Sequence, residues 1–191
     1  HVDHRLTLGF ACSPRGVFLN QAFLEARRRF LLEHFRGVPG RVLFGDLFEP
    51  SLLDFLRNQG VDIYGVTPND EAAAAVDIQQ AELIEHLDHL DNNALAGFIL
   101  CGITDRGSLN EQLRALRLLL LRSRPGARAA IIVSKPEVLS SQLGPVAADL
   151  LQGRPLHSET WCYLLSRENA SDITVSESSD SAFCLITATL P

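Results

Sequence analysis

Apolar and polar positions alternate between two patterns from residue 21 to the end of the chain. Short apolar runs are typical of buried strands, whereas apolar positions repeated every three or four residues are typical of amphipathic helices. The predicted strands are Arg41–Phe44, Asp62–Val66, Gly97–Cys101, Ala129–Val133, Ile173–Val175 and Ala182–Thr187. The predicted helices are Gln21–Phe35, Ser51–Gln59, a short alanine-rich helix capped by Asn69 or Asp70, an acidic turn or short helix at Glu82–Leu90, Leu109–Arg122, and Glu159–Arg167.

Residues that favour helix ends stand at the borders of these segments. Asn20 and Ser158 precede two of the predicted helices, and their short polar side chains can accept hydrogen bonds from the first helical turn. Gly37 and Gly60 follow two others and indicate their ends, because glycine readily adopts the left-handed conformation found there. The borders therefore agree with the periodicity.

The order of the elements predicts the fold class. Strands that alternate with helices need crossover connections, and these produce a mostly parallel sheet covered on both faces. The sequence therefore predicts an α/β fold with a doubly wound, Rossmann-like sheet, and the closing pair of strands predicts an antiparallel edge. We expect one domain over residues 20–191, preceded by an irregular lead-in at residues 1–19.

Composition narrows the class of protein. Among 191 residues, 46% are hydrophobic and 21% charged, as in a folded globular domain. The formal net charge of −6 argues against a nucleic acid partner, and no apolar run is long enough to insert into a membrane. Four scattered cysteines lack metal-ligand spacing and are typical of reduced thiols in a cytoplasmic protein. The chain has no methionine, so we expect it to be part of a longer protein.

The loop after the first predicted strand is the first place to look for a site, because sheets of this kind bind ligands beyond the carboxyl ends of their strands. A cofactor loop needs glycines, since the backbone must turn tightly and approach the ligand closely. Gly45–Pro50 has one glycine and two acids, Asp46 and Glu49, which disfavour a phosphate group. The loop is typical of an ordinary strand-to-helix turn, with Pro50 in the first turn of the helix.

Two stretches outside this loop match a known family. Residues 97–133 match without a gap and include Arg124-Pro125-Gly126, where the family has an Arg-Pro-Gly-Gly turn before its fifth strand. Arg154–Thr160 is close to the family's Arg-Pro-Leu-His-Pro-Glu-Thr. Over residues 20–176 the chain resembles class I S-adenosylmethionine-dependent methyltransferases, and among them the branch fused into bacterial surface-polysaccharide assembly proteins. The resemblance implies the doubly wound fold and S-adenosylmethionine as the family's cofactor.

The cofactor positions of that family are poorly kept. Its first motif, Asp-x-Gly-x-Gly-x-Gly, falls on residues 44–50, with Phe44 in place of the acid. The three glycine positions are held by Asp46, Phe48 and Pro50. The acid that binds the cofactor ribose is replaced by Thr67, which can make one hydrogen bond but cannot bridge two hydroxyls as a carboxylate does. Phe44, Phe48 and Pro50 filling the cofactor volume would favour an empty scaffold, and an open cleft would favour ligand binding.

The remaining functional positions are mixed. Glu82 corresponds to the acid near the adenine amino group, and Asn169 replaces the glycine expected after the last helix. The family's Glu-His pair after the fourth strand becomes Asp105-Arg106, so the imidazole that could act as a base is lost. The residues that the resemblance places at a vestigial cofactor site are Gly45, Asp46, Leu47, Thr67, Glu82 and Cys101.

Two histidines on the acidic segment have the spacing of metal ligands. His86 and His89 stand three residues apart among Glu82, Glu85 and Asp88. A solvated acidic face explains the same residues, and the sequence predicts no metal site.

These observations predict a catalytically inactive methyltransferase-like domain without a cofactor. Its expected role is that of a structural or protein-interaction module in a larger bacterial glycan-assembly protein, with the other domains or a separate protein as partners. The alternative is an active S-adenosylmethionine-dependent methyltransferase with a divergent loop, in which backbone groups at Gly45–Leu47 hold the cofactor and Asp105 acts as a base. A pocket reused for another small ligand is the third interpretation.

Overall fold

The computed structural model describes residues 21–47, 49–69, 77–138, 153–177 and 182–191, and they form one seven-stranded sheet with helices on both faces. The strands are β1 (Val42–Gly45), β2 (Ile63–Thr67), β3 (Ile78–Gln80), β4 (Leu95–Leu100), β5 (Ser123–Ser134), β6 (Ser171–Glu177) and β7 (Phe183–Thr189). The helices are α1 (Gln21–Phe35), α2 (Pro50–Asn58), α3 (Leu83–His89), the single turn α4 (Ile103–Arg106), α5 (Leu109–Arg122) and α6 (Ser158–Arg167).

The strand order is β3-β2-β1-β4-β5-β7-β6. The first five strands pair in parallel, whereas β7 runs antiparallel to both β5 and β6. The predicted α/β class, the mostly parallel sheet and the antiparallel edge are therefore confirmed. The direction of the strand order reverses between β1 and β4. At such a switch point a crevice opens beyond the carboxyl ends of the two strands, and this is where doubly wound sheets bind ligands.

The sheet separates two hydrophobic cores. Successive strand residues point to opposite faces, so Leu43 of β1 joins one core and Phe44 joins the other. The first core is completed by α3, α5 and α6, from which Leu87 and Trp161 are fully buried. The second is completed by α1 and α2, with Leu31 fully buried. The near-continuous apolar runs of the central strands are explained by this coverage of both faces.

Several helix borders agree with the sequence. The bounds of α1 and α5 are those predicted. Gly37 and Gly60 have φ angles of +71° and +88° after α1 and α2, and Asn169 has a φ of +60° after α6. Helix α5 also begins with a reciprocal cap, in which Ser108 accepts a hydrogen bond from the Glu111 backbone and the Glu111 carboxylate accepts one from Ser108.

Other local predictions are wrong or incomplete. Ser158 does not cap α6: His157 holds that position without a side-chain cap, and the Ser158 hydroxyl donates to the Glu177 carboxylate instead. Strand β3 and the turn α4 are not predicted, because each is too short to show a period. The proposed Asn20 cap, the alanine-rich helix after Asn69 and the lead-in at residues 1–19 lie outside the described residues.

Strands β5 and β6 are each irregular near one end. In β5 the Arg124-Pro125-Gly126 turn is part of the strand, where Gly126 has a φ of +75° and the pairing with β4 shifts register. In the edge strand β6, the pairing with β7 shifts between Ser171 and Thr174, and Asp172 has a φ of +52°. Among the described residues, no helix is long and apolar enough to cross a membrane.

Candidate functional site

The crevice at the switch point is bordered by the loops that follow β1 and β4. The first loop begins at Asp46, the residue after β1, and the second at Cys101, the residue after β4. Both loops are short and leave the sheet at the same edge, because β1 and β4 are neighbouring parallel strands. Their side chains therefore decide what the crevice can hold.

Asp46 is the central charged group of the crevice. Its φ is +56°, so it keeps a glycine-like backbone conformation, and its side chain is only 4% exposed. One carboxylate oxygen forms an ion pair with Arg106 of α4, and the other, Oδ2, is buried without a hydrogen-bond partner among the described residues. Burial raises the pKa of Asp46 to about 6, with Glu82 adding to the rise and Arg106 opposing it.

Gly102 makes room for this carboxylate. A Cβ on Gly102 would lie 2.5 Å from Oδ2 of Asp46 and 2.6 Å from its backbone oxygen. Gly102 also has φ +67° and ψ −71°, and Ile103 N–H donates to the Cys101 carbonyl at 2.7 Å across it. These angles and this bond define a γ-turn of the strained kind, which glycine accommodates best. Asp46 and Gly102 are thus fitted to each other.

The loop after β1 is also fixed by hydrogen bonds to Cys101, which follows β4, and to β2. The buried thiol of Cys101 donates to the carbonyl oxygens of Gly45 and Asp46, at 3.5 and 3.3 Å. Leu47 N–H donates to the Val66 carbonyl of β2 at 3.0 Å. Cys101 therefore supports the loop and has no exposed surface to offer a ligand.

The far end of the same loop is attached to helix α1. Glu49 accepts from Arg27 and, at 3.4 Å, from Arg28, while the Ser51 hydroxyl lies 3.2 Å from the Glu49 carboxylate. The Arg27 side chain is 2% exposed, so this ion pair is nearly removed from solvent. Each acid of the loop is thereby paired with arginine from a different element.

Thr67 and Glu82 lie together at the end of β2. Ala81 N–H donates to the Thr67 carbonyl at 3.0 Å, which places the start of α3 beside the end of β2. The Thr67 hydroxyl oxygen accepts from the Asn69 backbone at 3.2 Å, and among the described residues no acceptor for its own hydrogen is found. The Glu82 carboxylate is exposed and near enough to Asp46 to raise the pKa of that group.

Asp105 is committed to the sheet. Its two carboxylate oxygens accept hydrogen bonds from the backbone N–H and the hydroxyl of Ser134, at 2.8 and 2.7 Å. Burial raises the pKa of Asp105, while the bonds from Ser134 oppose the rise. The carboxylate therefore joins α4 to the end of β5, and its two bonds to Ser134 disfavour a role as a general base.

The histidines of α3 have structural partners. His86 Nε2 lies 3.0 Å from the Tyr64 hydroxyl, and His89 Nδ1 lies 2.7 Å from the backbone oxygen of Glu85. Burial lowers the pKa of His86. Within the described parts of the chain, no three His, Cys, Asp or Glu side chains are grouped to hold a metal ion.

Two of the three residues that the sequence suggests could fill the cofactor volume lie elsewhere. Phe44 is fully buried in the core under α1 and α2, and Pro50 begins α2. The third, Phe48, lies outside the described residues. Asp46 and Arg106 join the loops on the two sides of the switch point. Their signal in the sequence was an acid at a glycine position and a cation in place of a histidine, which become meaningful only once the two loops are known to be neighbours.

Comparison with known proteins supports the fold. No family model matches the chain, and no curated protein matches its sequence. A SAM-dependent methyltransferase from Archaeoglobus fulgidus superposes with a TM-score of 0.71 at 15% identity, covering 88% of this chain and 93% of that one. The 1,6-didemethyltoxoflavin-N1-methyltransferase of Burkholderia thailandensis gives 0.65 at 16% identity, covering 92% and 81%. The N-methyltransferase NodS of Bradyrhizobium japonicum WM9 gives 0.64 at 12% identity, covering 90% and 89%.

The chain has the class I methyltransferase fold. The prediction that it has no cofactor is contradicted by these neighbours, because they are SAM-dependent methyltransferases and the last two were solved with S-adenosylhomocysteine bound. Counting glycines misleads here, because Asp46 stands at one of the glycine positions and has a φ of +56°, a backbone angle that usually requires glycine. Catalytic inactivity and the polysaccharide-assembly branch stay predictions.

Proposed function

We propose that this methyltransferase-like domain binds an S-adenosyl ligand at the switch-point crevice but does not transfer its methyl group. We further propose that it serves as a structural or protein-interaction module of a larger bacterial glycan-assembly protein. The observation that carries the first proposal is the state of the two acids after β1 and β4. Asp46 lies at the switch point, where one of its oxygens pairs with Arg106, whereas Asp105 is bound at both oxygens by Ser134.

The residues at the end of β2 fit the nucleoside part of such a ligand. The Thr67 hydroxyl can donate one hydrogen bond to a ribose oxygen, and the exposed Glu82 carboxylate can accept from an amino group. The exposed Glu82 carboxylate also gives this edge of the sheet a negative charge, which suits a ligand with a sulfonium and an ammonium group. S-adenosylmethionine, when bound, supplies an electrophilic methyl group.

The absence of methyl transfer is proposed from the chemistry of the second loop. A general base must have a free lone pair near the proton that it removes. Both oxygens of Asp105 are bonded to Ser134, which fixes this carboxylate at the end of β5, and the guanidinium group of the neighbouring Arg106 has no lone pair with which to accept a proton. The two positions after β4 that carry an acid and an imidazole in the resembled family therefore provide no base here.

The organising role rests on the resemblance to domains fused into glycan-assembly proteins, together with exposed apolar side chains. Tyr163 on α6 and Val175 on the edge strand β6 are both exposed, and α6 packs beside β6. Exposed aromatic side chains are enriched where proteins bind one another. The partner is proposed to be another domain of the parent protein or a separate protein.

Calorimetric titration with S-adenosylmethionine and S-adenosylhomocysteine tests ligand binding. We expect saturable binding, weakened about fivefold in Thr67→Ala, which loses one hydrogen bond to the ligand. Thr174→Ala is the matched control: it removes a threonine hydroxyl from the β6–β7 pair, and its affinity should equal that of the wild type. Absence of heat from folded wild-type protein would refute the binding proposal.

A radiolabel assay tests the lack of transfer. Protein and S-adenosylmethionine labelled on the methyl group are incubated with fractionated bacterial small molecules, glycans and proteins, beside boiled protein. We expect no transfer above the boiled control. Transfer would instead support the active methyltransferase. The observation that favours this second candidate is the pKa of about 6 for Asp46, which is suitable for a base at neutral pH.

A further inference from the structure

The ion pair between Asp46 and Arg106 joins the loops on the two sides of the switch-point crevice. Asp46 follows β1, and Arg106 ends the turn α4 that follows β4. These are the neighbouring strands between which the strand order reverses. A bond between the two loops therefore spans the opening through which a ligand reaches the crevice.

We propose that the Asp46–Arg106 ion pair is an autoinhibitory latch, which closes the crevice with the protein's own side chains and must part before a ligand enters. The ligand in this inference is the S-adenosyl compound of the proposed function, on which that part of the inference rests. The closing of the crevice itself depends only on contacts within the chain.

The Asp46 side of the latch is held in an energetically unfavourable arrangement. Asp46 holds a positive φ and presses its Oδ2 against Gly102, where the absent Cβ leaves the space that the oxygen uses. That oxygen is buried and has no hydrogen-bond partner among the described residues. A buried carboxylate oxygen without a donor is costly, so the closed state is held against a penalty that opening to water or to a donor group on a ligand removes.

The two ends of the loop differ in how easily they part. Each ion pair has one nearly buried member, Asp46 at this end of the loop and Arg27 at the other. The Asp46 carboxylate has Arg106 as its one side-chain partner among the described residues, and Arg106 is 58% exposed, so water can take its place. Glu49 is bonded to Arg28 and Ser51 as well as to Arg27. We therefore expect the contact between Asp46 and Arg106 to break while Glu49 stays bonded to α1.

The charges around Asp46 also show what holds the latch closed. Glu82, before α3, repels the Asp46 carboxylate, and Arg106 is the cation that balances it. Cys101 contributes a thiol that bonds to backbone oxygens, and the nearby Ile103 backbone N–H donates to the Cys101 carbonyl at 2.7 Å. Without Arg106, the remaining neighbours do not neutralise Asp46.

Amide hydrogen exchange tests the latch without any ligand. The reporters are Leu47 N–H, bonded to Val66, and Cys101 N–H, bonded to Gly45, because both belong to the loops that the latch joins. In Arg106→Gln we expect these amides to exchange about three- to tenfold faster, the change for a charge-assisted bond with one exposed partner. The control is Arg114→Gln, which removes the Arg114–Asp88 ion pair, whose arginine is 59% exposed; its exchange at both amides should match the wild type.

Affinity for S-adenosylhomocysteine tests the autoinhibition. We expect the dissociation constant to fall about three- to tenfold in Arg106→Gln and at least as much in Asp46→Gly, and to stay unchanged in Arg114→Gln. Asp46→Gly is included because Arg106→Gln leaves a buried carboxylate without its counter-ion, whereas glycine suits the positive φ at this position.

The two measurements separate the possible failures. Faster exchange in both latch variants without binding of S-adenosylhomocysteine to any protein would refute the proposed ligand and leave the latch supported. Exchange equal to that of Arg114→Gln would refute the latch, whatever the ligand does. Binding that is weaker in both latch variants would also refute the autoinhibition, because it would show that the pair helps to hold the ligand.

Discussion

Replacing Gly102 by alanine tests how closely the two loops of the crevice are fitted. The new Cβ would stand 2.5 and 2.6 Å from two oxygens of Asp46, where contacts under 3.0 Å are essentially never seen. A non-glycine residue at these backbone angles costs about 1–3 kcal/mol, and forcing extra volume into a packed site costs about 1–3 kcal/mol more. We therefore expect Gly102→Ala to lower the free energy of unfolding by about 2–6 kcal/mol.

Urea denaturation followed by tryptophan fluorescence measures this loss. Trp161 is the single tryptophan of the sequence and is fully buried, so its emission reports global unfolding. Gly37→Ala is the matched control, because Gly37 also has a positive φ but has no atom within 4 Å of the added Cβ. It should cost only the backbone strain, about 1–2 kcal/mol.

A double-mutant cycle identifies the contact. Combining Gly102→Ala with Asp46→Gly removes one of the two oxygens that the Cβ meets. The loss of unfolding free energy in the double variant should therefore be smaller than the sum of the two single losses by about 0.5–3 kcal/mol. Gly37→Ala combined with Asp46→Gly should be additive within about 0.5 kcal/mol. Equal losses for the two alanine variants, or no coupling between Gly102 and Asp46, would refute the fit of these loops.

Three further predictions concern stability. Because burial raises the pKa of Asp46 from 3.8 to about 6, the folded protein binds a proton more tightly than the unfolded chain, and wild type should lose roughly 3 kcal/mol relative to Asp46→Asn as pH rises from about 3 to about 7. A difference in unfolding free energy that stays constant with pH would contradict this. Ser108→Ala removes the cap of α5 and should lower the melting temperature by about 2–4 °C, for a loss of about 1 kcal/mol, whereas an unchanged calorimetric transition would show that the cap with Glu111 is dispensable. Ser134→Ala leaves Asp105 without one of its two donors and should cost about 1–3 kcal/mol in urea denaturation at pH 7, so a loss below about 0.5 kcal/mol would show that this bond does not hold α4.

The sequence predicts the fold well where one physical cause acts over many residues. Helix α5 shows an apolar period over 14 residues, and its bounds are found as predicted. Strand β3 has three residues, one apolar and two exposed glutamines, so no pattern distinguishes it from a loop. Its place in the sheet comes from pairing with β2, which is a tertiary contact.

The candidate site was predicted in part. Thr67 follows from its place at the end of a predicted strand and Glu82 from the family resemblance, and the bond from Ala81 N–H to the Thr67 carbonyl brings the two residues close together. The role of Asp46 could not be predicted, because it depends on Arg106, 60 residues away, and on the φ of its own backbone. Counting glycines considers residue types alone, whereas Asp46 adopts a positive φ at a position where glycine is expected.

The irregular pairing of β6 has a consequence for contacts between copies of the chain. An edge strand with a straight row of free backbone groups invites pairing with another strand, which leads to aggregation. The register shift between Ser171 and Thr174 bends β6 at Asp172, and carboxylates stand at both ends of the strand, on Asp172 and Glu177. A second copy that approached this edge would meet an irregular ladder and like charges, which disfavour edge-to-edge pairing.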